Sequence, residues 1–288
     1  MKTLFIINPI SGKGSKDKLI SRLDEMGFEY VVTSKAGEGE ELARKATQDV
    51  VVAVGGDGTL NEVGRGILGT GKTLGIVPCG SGDGLARFLN IPHDVGKAVD
   101  VITAGKTIPL DAGLINGHPF FSVCGVGFDA NVSKAFAEAG RRGVLTYVEE
   151  ALRLWHNYSP EEFTIDIDGK KWTQEAVLVT VANSNQWGND AAVAPNADCS
   201  DGLLDITILD SFDNYELPAL AIKLMTGRCD SSNRVHCFTG KNIVITRNTP
   251  GPAHFDGEWF ETGRRIEISI IPSALKVLVP LGEQLKDS

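Results

Sequence analysis

Over the first 112 residues, short apolar runs alternate with stretches in which apolar positions recur every three or four residues. Leu4 to Ile7 predicts a strand ending at Asn8-Pro9, and Lys16 to Met26 predicts a helix with Leu19, Ile20 and Leu23 on one face. Phe28 to Thr33 is a second predicted strand and Glu38 to Thr47 a second helix. Val50 to Val54 is β-branched or small throughout and reads as a strand buried on both faces. Gly55, Gly56, Asp57 and Gly58 break it, and Thr59 to Gly66 resumes at helical spacing. Leu74 to Val77 is a fourth strand, cut by Pro78 and a glycine-bearing loop before a short helix, Leu85 to Leu89. Such alternation is the sequence form of an α/β doubly wound parallel sheet. It sends Asn8 to Gly12, Thr33 to Gly37, Gly55 to Thr59 and Pro78 to Gly84 out of strand C-terminal ends, the edge where open α/β sheets bind ligands.

After Asp111 strand patterns follow one another: His118 to Cys124, Phe163 to Ile167, Ala176 to Ala182, Leu204 to Leu209, Val235 to Phe238, Ile243 to Thr246 and Ile266 to Ile271. Asp168-Gly169, Asp201-Gly202 and Asp256-Gly257 punctuate them as turns. A mostly antiparallel β-sandwich is expected over 113–276, with helices at Ala130 to Ala139, Val144 to Trp155 and Tyr215 to Met225. The α/β domain is expected over 1–112, with about 277–288 packing back on it. Val144, Leu145, Val148, Leu152 and Trp155 follow helical spacing after Arg141 and Arg142. Such a stripe either rests on lipid headgroups or packs on its own sheet, and packing is the expected outcome.

Composition narrows the partners. A formal charge of -9 and a pI near 5.1 argue against nucleic acid, which needs a basic face, and against electrostatic adhesion to an anionic membrane. Five cysteines without a CxxC pair support neither a disulfide framework nor a zinc site and read as buried thiols. No apolar run reaches the length of a membrane span, and the N-terminus starts directly in a strand pattern, so a cytoplasmic protein that meets membranes peripherally is expected.

The chemistry starts from the strand, glycine turn and helix at 50–66. Glycines let the backbone approach a phosphate, and the helix start offers unpaired N–H groups. Neither supplies a carboxylate, so Asp57 points to a cation beside the phosphate or to proton transfer. SGKGSK lacks the spacing of a P-loop, GSGDGL lacks the third glycine of a dinucleotide fingerprint, and no GxSxG elbow occurs.

Taken in order, INPISGKG at 7–14, VTSKAGEGEELAR at 32–44, VGGDGTLNEV at 54–63, LGIVPCGSGDGLAR at 74–87, LDAG at 110–113, DGLLDITIL at 201–209 and DGE at 256–258 cover nearly the whole chain. Together they resemble the diacylglycerol kinase-like lipid kinases, a superfamily that includes sphingosine and ceramide kinases and, more distantly, NAD kinases. GGDGTLNEV is the most specific piece. The resemblance implies an ATP- and Mg²⁺-dependent kinase acting on a diacylglycerol-like or sphingoid lipid at a membrane surface, with a homodimer among the assemblies it allows. It implies that Asn8, Pro9, Ser11, Gly12 and Thr33 border the nucleotide, that Gly55, Gly56, Asp57, Gly58, Thr59, Leu60 and Asn61 wrap its phosphates, and that Ser81 contacts phosphate. It further implies Glu258 as proton acceptor, Asp111 as a group orienting substrate or metal, and Asp198, Asp201 and the Leu203 carbonyl as a structural magnesium site. Sphingosine kinases are usually discussed with the glycine-loop acid as base, so Asp57 stands beside Glu258, which is preferred. The family commonly reads GTxNDF where this chain has GSGDGL, so Asp83 and Gly84 depart from its metal network. A kinase of a soluble alcohol such as NAD, and a regulator that binds nucleotide without turnover, are the alternatives.

Overall fold

The computed structural model describes residues 2–11, 16–140, 143–185, 187–188 and 191–282. The chain divides into two compact units, Met1–Asp111 with Ser273–Ser288, and Ala112–Pro272.

The first unit contains β1 (Thr3–Ile7), α1 (Lys16–Met26), β2 (Glu29–Val32), α2 (Glu38–Lys45), β3 (Val50–Gly55), α3 (Asp57–Ile67), β4 (Thr73–Pro78), α4 (Gly84–Phe88), α5 (Val95–Ala104) and the start of β5 (Lys106–Ile115). Its sheet runs β2-β1-β3-β4, all parallel. Every residue of β3 and β4 is buried, as expected of central strands covered on both faces. α3 lays Leu60, Val63 and Ile67 into that core. It starts at Asp57, two residues before the apolar spacing begins, because an acid favours the first turn of a helix. α5 was not expected; Asp94 caps it by accepting the Lys97 N–H at 2.9 Å.

The second unit adds β6 (His118–Phe120), β7 (Val123–Gly127), α6 (Phe128–Glu138), α7 (Val144–Trp155), β8 (Glu161–Ile167), β9 (Lys170–Ala176), β10 (Leu178–Ala182), β11 (Leu204–Leu209), α8 (Leu217–Met225), β12 (Val235–Gly240), β13 (Asn242–Arg247), β14 (Gly251–Phe255), β15 (Glu258–Thr262) and β16 (Arg265–Val279). One antiparallel sheet runs β12-β11-β10-β7-β14-β15. Facing it, β9, β8, β13 and the first half of β16 pair antiparallel. The core lies between the layers: Cys124, Val126, Val179, Val181, Ile206, Ile208 and Phe255 from one sheet, Phe163, Ile165, Ile243, Ile245, Ile266 and Ile268 from the other. This is the expected sandwich. β16 continues into the first unit, where Lys276 and Val277 pair parallel with Thr73 and Leu74 of β4.

Two local expectations are corrected. His118 to Cys124 is not one strand; it breaks between β6 and β7, because Phe121, Ser122 and Val123 donate their N–H groups to the Asp256 carboxylate instead of continuing one ladder. The α7 stripe does not pack into a core: Leu145, Val148 and Leu152 are exposed, Leu145 at 87%. Trp155 at its end is held, edge-on to Phe128 and stacked on Phe212. Arg141, Arg142 and the Val144 side chain lie outside the description. No helix among the described residues is long and apolar enough to cross a membrane.

Candidate functional site

The turn after β3 is shaped by close backbone packing. A Cβ on Gly55 would meet Thr59 Oγ1 at 2.4 Å, and one on Gly80 would meet the Gly56 Cα at 2.7 Å. Glycine at 55, 56 and 80 therefore lets the loop after β4 lie directly against the loop after β3. Gly56 precedes α3 without a side-chain cap, which leaves the first turn to face an anion. Asp57 ties the two loops together: Oδ2 accepts the Asp83 N–H at 2.9 Å and Oδ1 the Gly84 N–H at 2.8 Å, capping α4. Both oxygens are thus engaged by amide donors, a poor arrangement for a group that must receive a hydroxyl proton. Thr59, Leu60 and Asn61 are buried behind this turn. The Asn8 Nδ2 donates to Thr59 Oγ1 at 2.9 Å and its Oδ1 accepts the Ile10 N–H, so the β1 loop joins the same cluster. Pro9 and Ser11 follow in that loop, and Gly12 lies outside the described residues. Thr33 is buried at the end of β2, its N–H on the Ile7 carbonyl at 2.9 Å. Ser81 is exposed on the β4 loop.

Asp83, beside this cluster, is buried with a left-handed backbone, φ 51°. Oδ1 accepts the Gly80 N–H at 3.1 Å, and Oδ2 has no hydrogen-bond partner, with His93 Nδ1 3.4 Å away. Burial pushes its carboxyl up to about 6, against the lowering effects of the Gly80 N–H and Arg87. Asp111 is buried and accepts the Ser273 N–H, bracing a left-handed residue (φ 49°) of β16.

In the second unit, Asp256 and Gly257 both have positive φ, 45° and 84°, and make the two-residue turn between β14 and β15. Asp256 is buried and accepts the N–H groups of Phe121 (2.8 Å), Ser122 (2.8 Å) and Val123 (3.1 Å). Glu258, the first residue of β15, is half-buried. The two acids of DGE thus divide their work: Asp256 fixes the turn, and Glu258 is the one with access to solvent. Asp198 Oδ1 accepts from the Ser200 N–H and hydroxyl, and Asp201 Oδ1 accepts the Leu203 N–H at 2.9 Å. Asp205, which the sequence reading missed, adds to them: burial first, then the charges of Asp201 and Asp198, push its carboxyl up to about 6. That excess negative charge fits a cation. No group of three acidic, His or Cys side chains among the described residues is arranged to hold a metal, so protein side chains alone do not complete a site.

Also missed was a buried polar pair under α6. His254 Nε2 lies 3.0 Å from Asp129 Oδ2, which also accepts the Thr180 hydroxyl at 2.8 Å. Its partners are 125 and 51 residues apart in sequence, and only the single polar residue within each of the apolar strands β10 and β14 hints at it.

Two family models match the chain. The diacylglycerol kinase catalytic domain matches residues 2–115, and the YegS C-terminal NAD kinase beta sandwich-like domain matches residues 122–279. The chain is 31% identical over 297 residues to a diacylglycerol kinase of Mycobacterium tuberculosis, covering 97% of this chain and 95% of that one. It is 28% identical over 268 residues to a diacylglycerol kinase of Bacillus subtilis, covering 88% of each. A solved Bacillus anthracis protein, described provisionally as a diacylglycerol kinase, superposes with a TM-score of 0.82 at 26% identity, covering 97% of this chain and 95% of that one.

Proposed function

Because the chain belongs to the diacylglycerol kinase-like family and is accordingly a kinase, we propose that it transfers the γ-phosphoryl group of ATP to the hydroxyl of a diacylglycerol-like or sphingoid lipid. The observation that carries this reading is the paired loop of the first unit, where glycines bring two strand ends together around an uncapped helix start and Asp57 locks them. Gly55 to Asn61 would take the phosphates, with Asn8, Pro9, Ser11, Gly12 and Thr33 along the nucleotide and Ser81 on a phosphate oxygen. Glu258 would take the proton of the lipid hydroxyl as that oxygen bonds to γ-phosphorus and the bridging bond to ADP breaks. Divalent magnesium bound with the triphosphate would neutralise its charge; a second ion would sit at Asp198, Asp201 and the Leu203 carbonyl, next to Asp205 and completed by water. Asp111 holds β16 in place near the end of the first unit's chain path. The exposed Leu145, Val148 and Leu152 favour a lipid met at a membrane face from the aqueous side.

The test is incubation with labelled ATP, Mg²⁺ and mixed micelles of diacylglycerol or a sphingoid base, beside NAD in parallel. Label extracted into the organic phase is expected. Label in the aqueous product with NAD alone would replace the lipid by a soluble alcohol, and bound ATP with neither product would make the chain a regulator. Glu258→Gln is expected to lower kcat by about 10²-fold or more while the fold survives. Near-normal kcat in that variant removes Glu258 from the role of base.

A further inference from the structure

The Asp129–His254 pair takes no part in the chemistry above, yet burying it is costly. A carboxylate and an imidazole leave water only when their hydrogen bonds are replaced. Asp129 is fully served: Oδ1 accepts the Ala130 N–H at 2.8 Å, and Oδ2 accepts from Thr180 and His254. The network assigns the His254 proton to Nε2, since Asp129 presents only acceptors to it. Nδ1 is then a bare acceptor, buried without a hydrogen-bond partner. An apolar residue would fill the same place without that penalty.

The place itself explains the choice. Thr180 of β10, Gly125 of β7, His254 of β14 and Trp259 of β15 stand in one register row across the sheet, on the face turned away from the apolar core. Glycine at 125 clears the volume for the carboxylate: a Cβ there would lie 2.7 Å from Asp129 Oδ2 and 3.1 Å from His254 Nε2. Among the described residues β14 pairs with β7 through Ala253, His254 and Phe255, the ladder ending where the Asp256 N–H donates to the Val123 carbonyl at 2.8 Å, and β15 beyond it is the sheet's edge. The hairpin is therefore hung on a short ladder, and it carries Glu258 at its tip. α6 grips it twice more, through Lys134 Nζ to Glu261 at 2.7 Å and over the Trp259 ring at 4.8 Å, but those contacts are at the surface.

We propose that Asp129 and His254 are positioning residues that hold the β14–β15 hairpin, and with it Glu258, in its working place; the proposal rests on the reading of Glu258 as proton acceptor. Glu258 and Trp259 point to opposite faces of β15, so the effect passes through the hairpin backbone and not through side-chain contact. Asp256 fixes the turn from the other side.

The test compares His254→Leu, His254→Gln and Thr180→Val in the full chain. His254→Leu removes the donor and keeps the bulk; it is expected to lower kcat about 10- to 100-fold by misplacing Glu258, with the KM for ATP unchanged. His254→Gln returns an N–H at the same reach and is expected to restore most of that loss. Thr180→Val removes the other side-chain donor to the same oxygen without touching the hairpin, and is expected to leave kcat near wild type. In amide hydrogen exchange, His254→Leu is expected to speed exchange at Phe255 to Trp259 and leave β10 and β11 protected. Equal kcat losses in the leucine and valine variants, or unchanged exchange at the hairpin, would overturn the proposal. Should the wild-type chain phosphorylate no alcohol, the kinase reading falls while the exchange result still decides whether the pair holds the hairpin.

Discussion

At Asp83 a carboxylic acid occupies a place that is only 3% exposed, with one oxygen on the Gly80 N–H and the other unbonded. Burial raises its value to about 6 from 3.8 in the unfolded chain, a difference of roughly 2 units and so on the order of 3 kcal/mol at most. The sign follows from which state holds the proton more tightly. Folded Asp83 keeps its proton where the unfolded chain has already released it, so its contribution is full below about pH 4 and is lost as pH rises through about 6. Asp83→Asn retains the acceptor for Gly80 and cannot ionise. It is expected to be more stable than wild type by about 1–3 kcal/mol at pH 8 and nearly equal at pH 4, read from denaturant unfolding at the two values. Asp205, raised in the same direction by burial and by Asp201 and Asp198, leaves a residual slope in the variant. Identical pH slopes in the two proteins would show that Asp83 is solvated in the native state.

Among the elements, α3 organises its neighbours with two acids one and a half turns apart. Asp57 takes the first amides of α4, and Glu62 takes the Gly37 and Gly39 N–H groups at 2.8 and 2.9 Å at the start of α2. Each acid caps a helix other than its own, where the helix N-terminus favours negative charge. Glu62→Ala is expected to cost about 1–2 kcal/mol in thermal unfolding and leave the KM for ATP unchanged, since the Glu62 carboxylate is taken up by the Gly37 and Gly39 N–H groups at the start of α2. A raised KM would place Glu62 in the nucleotide site. The strand, turn and helix around Asp57 were legible because period and glycine spacing are local signals. The caps were not, since each joins segments more than 20 residues apart. The same holds for Asp256, whose burial depends on amides more than 130 residues away, and for Asp129 and His254. On α7, spacing alone could not tell a buried apolar face from the exposed one found at Leu145, Val148 and Leu152, because both have the same period. Only the tertiary setting separates them.

For the whole molecule, two compact units imply a division of labour that one pair of variants can expose. The loops proposed to take the phosphates belong to the first unit and Glu258 to the second, and the acidic total of -9 offers a triphosphate no net cationic attraction. On the proposed reading, nucleotide affinity comes from the ion that arrives with ATP and from the backbone amides and α3 start of the loops that Asp57 ties together. A ligand present at 100 times its Kd stabilises the folded state by about 2.7 kcal/mol, so Mg²⁺-ATP should raise the Tm of the wild-type chain by several degrees. Asp57→Asn replaces one acceptor oxygen by a donor that faces the N–H of Asp83 or Gly84, opening the paired loops. It is expected to lose most of that ATP-dependent rise. Glu258→Gln leaves the loops untouched and is expected to show the full rise while turnover collapses. If Asp57→Asn keeps the full rise and loses only kcat, Asp57 acts on the transferred group itself, and the proton acceptor has to be sought in the glycine turn instead of the hairpin.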